Sequence, residues 1–231
     1  MKIPIIGLLL SLLVVTAFAQ NLNVAIHGIY TNPITKEKLS KARSMADIIS
    51  YYPSSWIESY NSAEITVISS SNTFSAKSAN DILSEEQLKL LSSLDFGTEI
   101  VINIGYQHMN PVTNVTENGN MHYKATVIPE TEAVYSDGYE ELAHYLKSNA
   151  VENISADDSK DLHQAVVRFT VDEAGEIVNA NIFKSSGKPG IDKLLLEAIN
   201  DMPKWRPAAD SQGHKVRQEF EFTLSDSSDG C

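Results

Sequence analysis

The last third of the chain constrains its fold most. In "HQAVVRFTVDEAGEIVNANIFKS" (163–185), Ala165, Val167, Phe169 and Val171 occupy every second position. A period of two places them on one face of a strand. Asp172-Glu173-Ala174-Gly175 supplies a turn in which Gly175 can take positive φ, and Val178, Ala180 and Ile182 alternate on the return. The period then changes. In "GIDKLLLEAINDM" (190–202), Ile191, Leu194, Leu195, Ala198, Ile199 and Met202 form a helical stripe. Pro203 ends that helix and Pro207 keeps the exit extended, so "MPKWRP" (202–207) reads as a rigid connector. Trp205 would fold onto the core between them, with Lys204 and Arg206 pointing outward. "HKVRQEFEFTL" (214–224) alternates again through Phe220, Phe222 and Leu224. A short amphipathic helix precedes all of this at 138–148, carrying Leu142, Tyr145 and Leu146. The expected fold is α+β: a three-stranded antiparallel sheet with helices packed on one side, preceded by a separate mixed α+β domain.

That preceding part alternates strand and helix patterns. "LNVAIHGIY" (22–30), "SAEITVISSS" (62–71), "TEIVINIGY" (98–106) and "MHYKATVIP" (121–129) read as strands. Residues 36–50 space Leu39, Ala42, Ala46 and Ile49 as a helix, and "SEEQLKLLSSL" (84–94) opens with the capping-box pair Ser84 and Gln87. An acidic, linker-like segment spans about 130–161. The expected division is 1–19 as a leader, 20–130 as an α+β domain without a recognised role, and 131–231 as the C-terminal domain.

The leader expectation rests on Lys2, an uncharged apolar run, and Ala17-Phe18-Ala19 before Gln20, the small-residue pattern of a secretory cleavage site. The alternative is an inner-membrane anchor formed by residues 3–19. A net charge of −12 disfavours nucleic acid as a partner. The one cysteine, Cys231, cannot form an intrachain disulfide. No nucleophile elbow, phosphate loop or metalloprotease helix is present, and the six histidines are scattered. The expectation is therefore a chain without enzymatic activity, cofactor or metal.

Taken together, the hairpin, the helix, "MPKWRPA" and "GHKVRQEFEFTL" resemble the C-terminal domain of TonB-type energy transducers, in the form common among Bacteroidetes. The motif positions are Gly175, Met202, Pro203, Trp205 and Pro207. The resemblance covers about residues 132–225. It implies a periplasmic domain that binds outer-membrane receptors through an extended segment, the TonB box, added as a strand. By position, the receiving edge would be the last strand, about Lys215 to Thr223, with Arg217, Glu219 and Glu221 pointing outward. Those charges equally suit an edge guarded against aggregation. The two open edges of a three-stranded sheet also offer a route to a homodimer by strand exchange. Three features depart from a transducer: a cleavable-looking N-terminus, no Pro-rich spacer, and Ala150-Val151 where a Tyr-Pro usually stands. The expected function is that of a binding partner or energy-coupling component for TonB-dependent outer-membrane transport, with a soluble periplasmic adaptor for envelope or secretion machinery as the alternative. Residues 78–106 in turn resemble a piece of gliding-motility and type IX secretion shaft domains.

Overall fold

The computed structural model describes residues 22–68, 72–155, 157, 159 and 162–226, and the backbone of Val15–Ala17. The rest of the expected leader, together with Cys231, lies outside the described residues. Among the described residues, no helix is long and apolar enough to cross a membrane.

Two compact units form, and they interleave along the chain. One comprises Met1–Ile29, Ala133–Pro207 and Glu219–Cys231; the other comprises Tyr30–Glu132 and Ala208–Gln218. A simple sequential division at 130 does not describe them. The first expected strand belongs with the C-terminal strands, and part of the C-terminal segment belongs with residues 30–132.

The strands of the chain are β1 (Val15–Ala17), β2 (Leu22–Gly28), β3 (Pro33–Thr35), β4 (Ser59–Ile68), β5 (Thr73–Ser78), β6 (Glu99–Met109), β7 (Thr116–Ile128), β8 (Val134–Tyr135), β9 (Ala165–Val171), β10 (Ile177–Lys184), β11 (Trp205–Arg206), β12 (Ala208–Ala209), β13 (Lys215–Val216) and β14 (Gln218–Asp226). The α-helices are α1 (Lys36–Lys41), α2 (Met45–Ile48), α3 (Glu85–Ser92), α4 (Tyr139–Asn149) and α5 (Pro189–Asn200).

The 30–132 unit holds a five-stranded sheet in the order β3-β7-β6-β4-β5. Alternation along β4 and β6 buries Ala63, Ile65 and Val67 with Ile100, Ile102 and Ile104; Leu39, Met45, Ile48 and Leu91 join the same core. The helix expected over 36–50 is two helices. Asp47 accepts hydrogen bonds from the backbone N–H groups of Arg43 and Ser44 and from Ser44 Oγ, all at 2.9 Å. A side chain that caps the backbone locally competes with helix continuation, so the helix ends at Lys41 and restarts at Met45. The same bonds hold the Asp47 carboxyl below its ordinary pKa. β5, "TFSAKS", has too few apolar residues to be read from the sequence, and it exists because six of its residues pair with β4.

The capping box at α3 has a second task. Gln87 is fully buried. Its Oε1 accepts from Ser84 N at 2.9 Å, while its Nε2 donates to the carbonyls of Ala63 at 2.9 Å and Ala76 at 3.3 Å. One amide thus caps the helix and ties it to β4 and β5. Gln87→Leu strands buried groups and should cost about 1–3 kcal/mol, seen as a lowered urea midpoint; an unchanged midpoint would refute this double role.

In the other unit the sheet order is β1-β2-β14-β9-β10. The three C-terminal strands lie side by side as β14-β9-β10, in an α+β arrangement, and β2 extends them. Phe220, Phe222 and Leu224 of β14, Val167 and Phe169 of β9, and Leu22, Val24 and Ile26 of β2 are all buried. α5 turns Ile191, Leu195, Ala198 and Ile199 into the core. Tyr145 on α4 donates its hydroxyl to Ala198 O at 2.8 Å; burial, with Asp201 adding, pushes that phenol up to about 12.

At the start of α5, Asp192 accepts from Ser185 Oγ at 2.5 Å and from Ser186 N at 2.8 Å. Burial works against the charge, but these hydrogen bonds outweigh it and hold the carboxyl below its ordinary value of 3.8. A lowered folded pKa adds stability that is fully present above the unfolded value and disappears as pH falls through the folded one. Asp192→Asn should therefore lower the melting temperature near neutral pH, with the deficit closing in acid. A deficit independent of pH would contradict this origin.

Candidate protein-docking edges of the C-terminal sheet

The motif residues assemble around one tryptophan. Asp172 closes the β9–β10 turn, accepting at Oδ1 from Ala174 N at 2.8 Å and Glu176 N at 2.9 Å. This leaves Gly175 at φ +81°. Its carbonyl accepts the Trp205 amide at 2.8 Å. A Cβ at Gly175 would lie 2.0 Å from Trp205 O, so the approach admits only glycine. Pro203 is exposed and ends α5, and Met202 turns inward, where its sulfur accepts from Trp205 Nε1 at 3.2 Å. The indole is 4% exposed. Its ring centroid lies 5.1 Å from Phe220, 5.9 Å from Tyr135 and 6.0 Å from Phe169. The backbone of Trp205 and Arg206 pairs with Tyr135 and Val134. Lys204 and Arg206 point outward as expected, and Lys204 meets Glu176 at 3.2 Å. "MPKWRP" is therefore a clamp that locks hairpin, helix end and last strand together, with its tryptophan inside the core and out of a partner's reach.

The expected receiving edge is not an edge. β14 lies between β2 and β9. Seven antiparallel pairs, from Phe220↔Gly28 to Asp226↔Leu22, occupy the side where a partner strand would add. Displacing β2 would expose Leu22, Val24 and Ile26, each worth about 1.5–3 kcal/mol when buried. The nominated residues also fall in different places. Lys215 pairs with Ala209 in a separate two-stranded ladder, and Arg217 precedes β14. Glu219, Glu221 and Thr223 sit mid-sheet on the face away from the aromatic core. The sequence could not show this, because the strand that fills the edge comes from residues 22–28, near the other end of the chain.

Glu221 is engaged on that outer face. Arg168 Nε and Nη2 each lie 2.8 Å from Glu221 Oε2, and the guanidinium carbon stands 3.3 Å over the Phe183 ring. These groups border a groove of about 340 Å³ that also meets Asn179, Asn181 and Glu219. Its one arginine is committed to a carboxylate and an aromatic ring, so the groove presents no unpaired cation to an anion. Among the described residues, no cluster of three or more His, Cys, Asp or Glu side chains is arranged to hold a metal ion.

Towards its two ends the sheet offers β10, and β2 beside the short β1, and they differ. β10 pairs with β9 through two register shifts, and Asn179 is left-handed at φ +56°. Bulges and Lys184 at its end make β10 a poor template for another strand. β2 is regular over seven residues and carries no charge, proline or bulge. On its outer side, among the described residues, it pairs with β1 over Leu22–Val24.

Residues 138–224 match the protein family described as TonB C terminal. That part of the chain, from α4 through most of β14, is thus similar to TonB C-terminal domains. No curated protein and no solved structure matches the chain.

The clamp is directly testable. Gly175→Ala forces a left-handed alanine against a carbonyl and should cost at least about 1–3 kcal/mol. Trp205 emission should shift to the red at lower urea than in the unchanged chain. Equal stability would mean the turn relaxes freely.

Proposed function

We propose that this chain is a TonB-like envelope protein without enzymatic activity, which binds periplasmic or outer-membrane partners by adding their extended segments to its C-terminal sheet. The family match of residues 138–224 carries this reading. The residues nominated from the sequence, Lys215 to Thr223, are replaced by the outer edge of β2 around Ala25 and His27, since β14 already has a strand on each side. Backbone hydrogen bonds along an added strand supply affinity whatever its sequence, and alternate side chains supply choice. Localisation in the periplasm accords with the apolar N-terminus ending at Ala17-Phe18-Ala19. In this reading the chain is a partner or coupling component for TonB-dependent outer-membrane transport. The adaptor reading, binding without force transduction, gains from the absence of a Pro-rich spacer between residue 20 and the sheet.

Photo-cross-linking in native cells separates these ideas from their failure. A photoreactive phenylalanine at Ala25 or His27 should yield adducts with a TonB-dependent receptor under the coupling reading, or with a periplasmic protein under the adaptor reading. The same probe at Val167, inside the core, should yield neither. Adducts absent from positions 25 and 27 would overturn strand addition at this edge.

A further inference from the structure

The 30–132 unit carries a site of another kind, on the sheet face opposite the buried Ile102 and Ile104. β6 is the central strand, and Gly105 lies in its interior. A glycine there weakens the strand unless a turn of the backbone or a close approach requires it. Gly119 meets such a requirement: a Cβ added to it would lie 2.5 Å from the Tyr106 ring. Gly105 meets none among the described residues. Its φ is not left-handed, and an added Cβ would find Asn61 Cβ, Ser62 Oγ and Asn120 Oδ1 at 3.5, 3.5 and 3.6 Å, ordinary contact distances. Alanine would fit, so the fold itself does not call for the missing methyl. The remaining reason for a strand glycine is that something outside the sheet approaches its backbone.

The gap at Gly105 has a built rim. Tyr60 pairs with Tyr106 and Ser62 with Gly105, so Asn61 is the extra residue of a bulge in β4. Bulges re-aim side chains. This one turns Asn61 onto the face of Ser62, where its Nδ2 donates to Asn118 Oδ1 at 3.3 Å. Gln107 Nε2 donates to the same oxygen at 3.4 Å, and Ser59 Oγ donates to Gln107 Oε1 at 3.0 Å. One carboxamide oxygen thus fixes two other amides, and Asn118 Nδ2 and Asn61 Oδ1 stay available. Asn120 and Ser62 make no side-chain hydrogen bond among the described residues. The rim is neutral, and flanking charges on this face are paired off, Glu64 with Lys77 at 3.5 Å and Glu99 with Lys124 at 3.2 Å. An anion finds no free cation here, and a protein partner finds no aromatic or aliphatic anchor. Amides and hydroxyls that both donate and accept match a ligand built of the same groups. We propose that Gly105 and its rim form a binding site for a neutral glycan, which lies against the bare Gly105 backbone and bonds to Asn61, Ser62, Asn118 and Asn120. The site is independent of strand addition at the C-terminal sheet.

The test uses the full chain with cellotetraose, maltotetraose, tetra-N-acetylchitotetraose and the anionic tetragalacturonate, each at millimolar concentration. In NMR spectra the Gly105 amide and the carboxamides of Asn118 and Asn120 should shift with at least one neutral probe. Tetragalacturonate should bind about tenfold more weakly than that probe, or not at all. A response to the acetamido probe alone assigns an amino sugar; a response to cellotetraose or maltotetraose assigns a glycan read through its hydroxyls. Gly105→Ala should melt at the temperature of the unchanged chain or higher, because alanine suits a strand better than glycine. It should nevertheless bind the responding probe about tenfold more weakly or worse. Asn120→Ala, which removes no side-chain hydrogen bond among the described residues, should weaken binding by a similar factor at an unchanged melting temperature. No shift at Gly105 with any neutral probe would overturn the site. So would undiminished binding in both variants, or a Gly105→Ala chain that melts lower, since the glycine would then serve the bulge alone. Tetragalacturonate binding as tightly as the neutral probes would overturn the ligand class.

Discussion

The ladder between β2 and β14 is the interaction on which the C-terminal unit depends. It joins residues 22–28 to residues 220–226, and everything between them in sequence lies inside the loop it closes. Residues 30–132 are therefore a long excursion out of this unit within that loop, and 208–218 are a second, shorter one. Closing so long a loop adds less cost than its length suggests, because the entropic term grows only logarithmically. The return is a side of β14 that is no longer bare and three apolar side chains placed beside Phe220, Phe222 and Leu224. Formation of that pairing depends on a contact of high sequence separation, which slows folding more than it weakens the product.

The clamp around Trp205 solves a different problem. A hairpin turn, a helix end and a strand start must meet in one place, and none of them has enough apolar surface alone. The indole supplies that surface, with rings of Tyr135, Phe169 and Phe220 within 6.0 Å. The Gly175 carbonyl fixes its backbone. Spacing inside "MPKWRP" follows from this geometry: Met202 must lie three residues before the indole to accept its N–H, and Pro203 must end α5 at once so that the chain can turn. The motif thus specifies a core, and a reading of Trp205 as a contact for partners has no exposed surface to support it.

Local chemistry was legible in the sequence. The Asp172–Gly175 turn, the stripe of α5, the capping box of Ser84 and Gln87 and the burial of Trp205 are all set by residues within a few positions of one another, and the structure has them where the patterns place them. What was not legible is pairing at a distance. The alternation in 22–28 identifies a strand but not its neighbour, so β14 read as an edge and the sheet as three-stranded. The same limit hid β5, whose ladder to β4 exists without an apolar pattern of its own. Residues 36–50 failed for a third reason: the apolar spacing was helical, but Asp47 and Ser44 offered the backbone local partners that helix continuation could not match.

β10 and β2, towards opposite ends of the C-terminal sheet, are not equivalent. β10 departs twice from register, carries a left-handed Asn179 and ends on Lys184, devices that stop another strand from continuing the sheet. β2 has none of them. An edge can be left without such devices if something else fills it, and among the described residues the ladder to Val15–Ala17 covers Leu22–Val24. A sheet meant to end at β2 would gain from one charge or proline at Ala25 or His27, positions whose side chains lie outside the apolar core. Neither position carries one, in contrast to the register shifts and terminal lysine of β10.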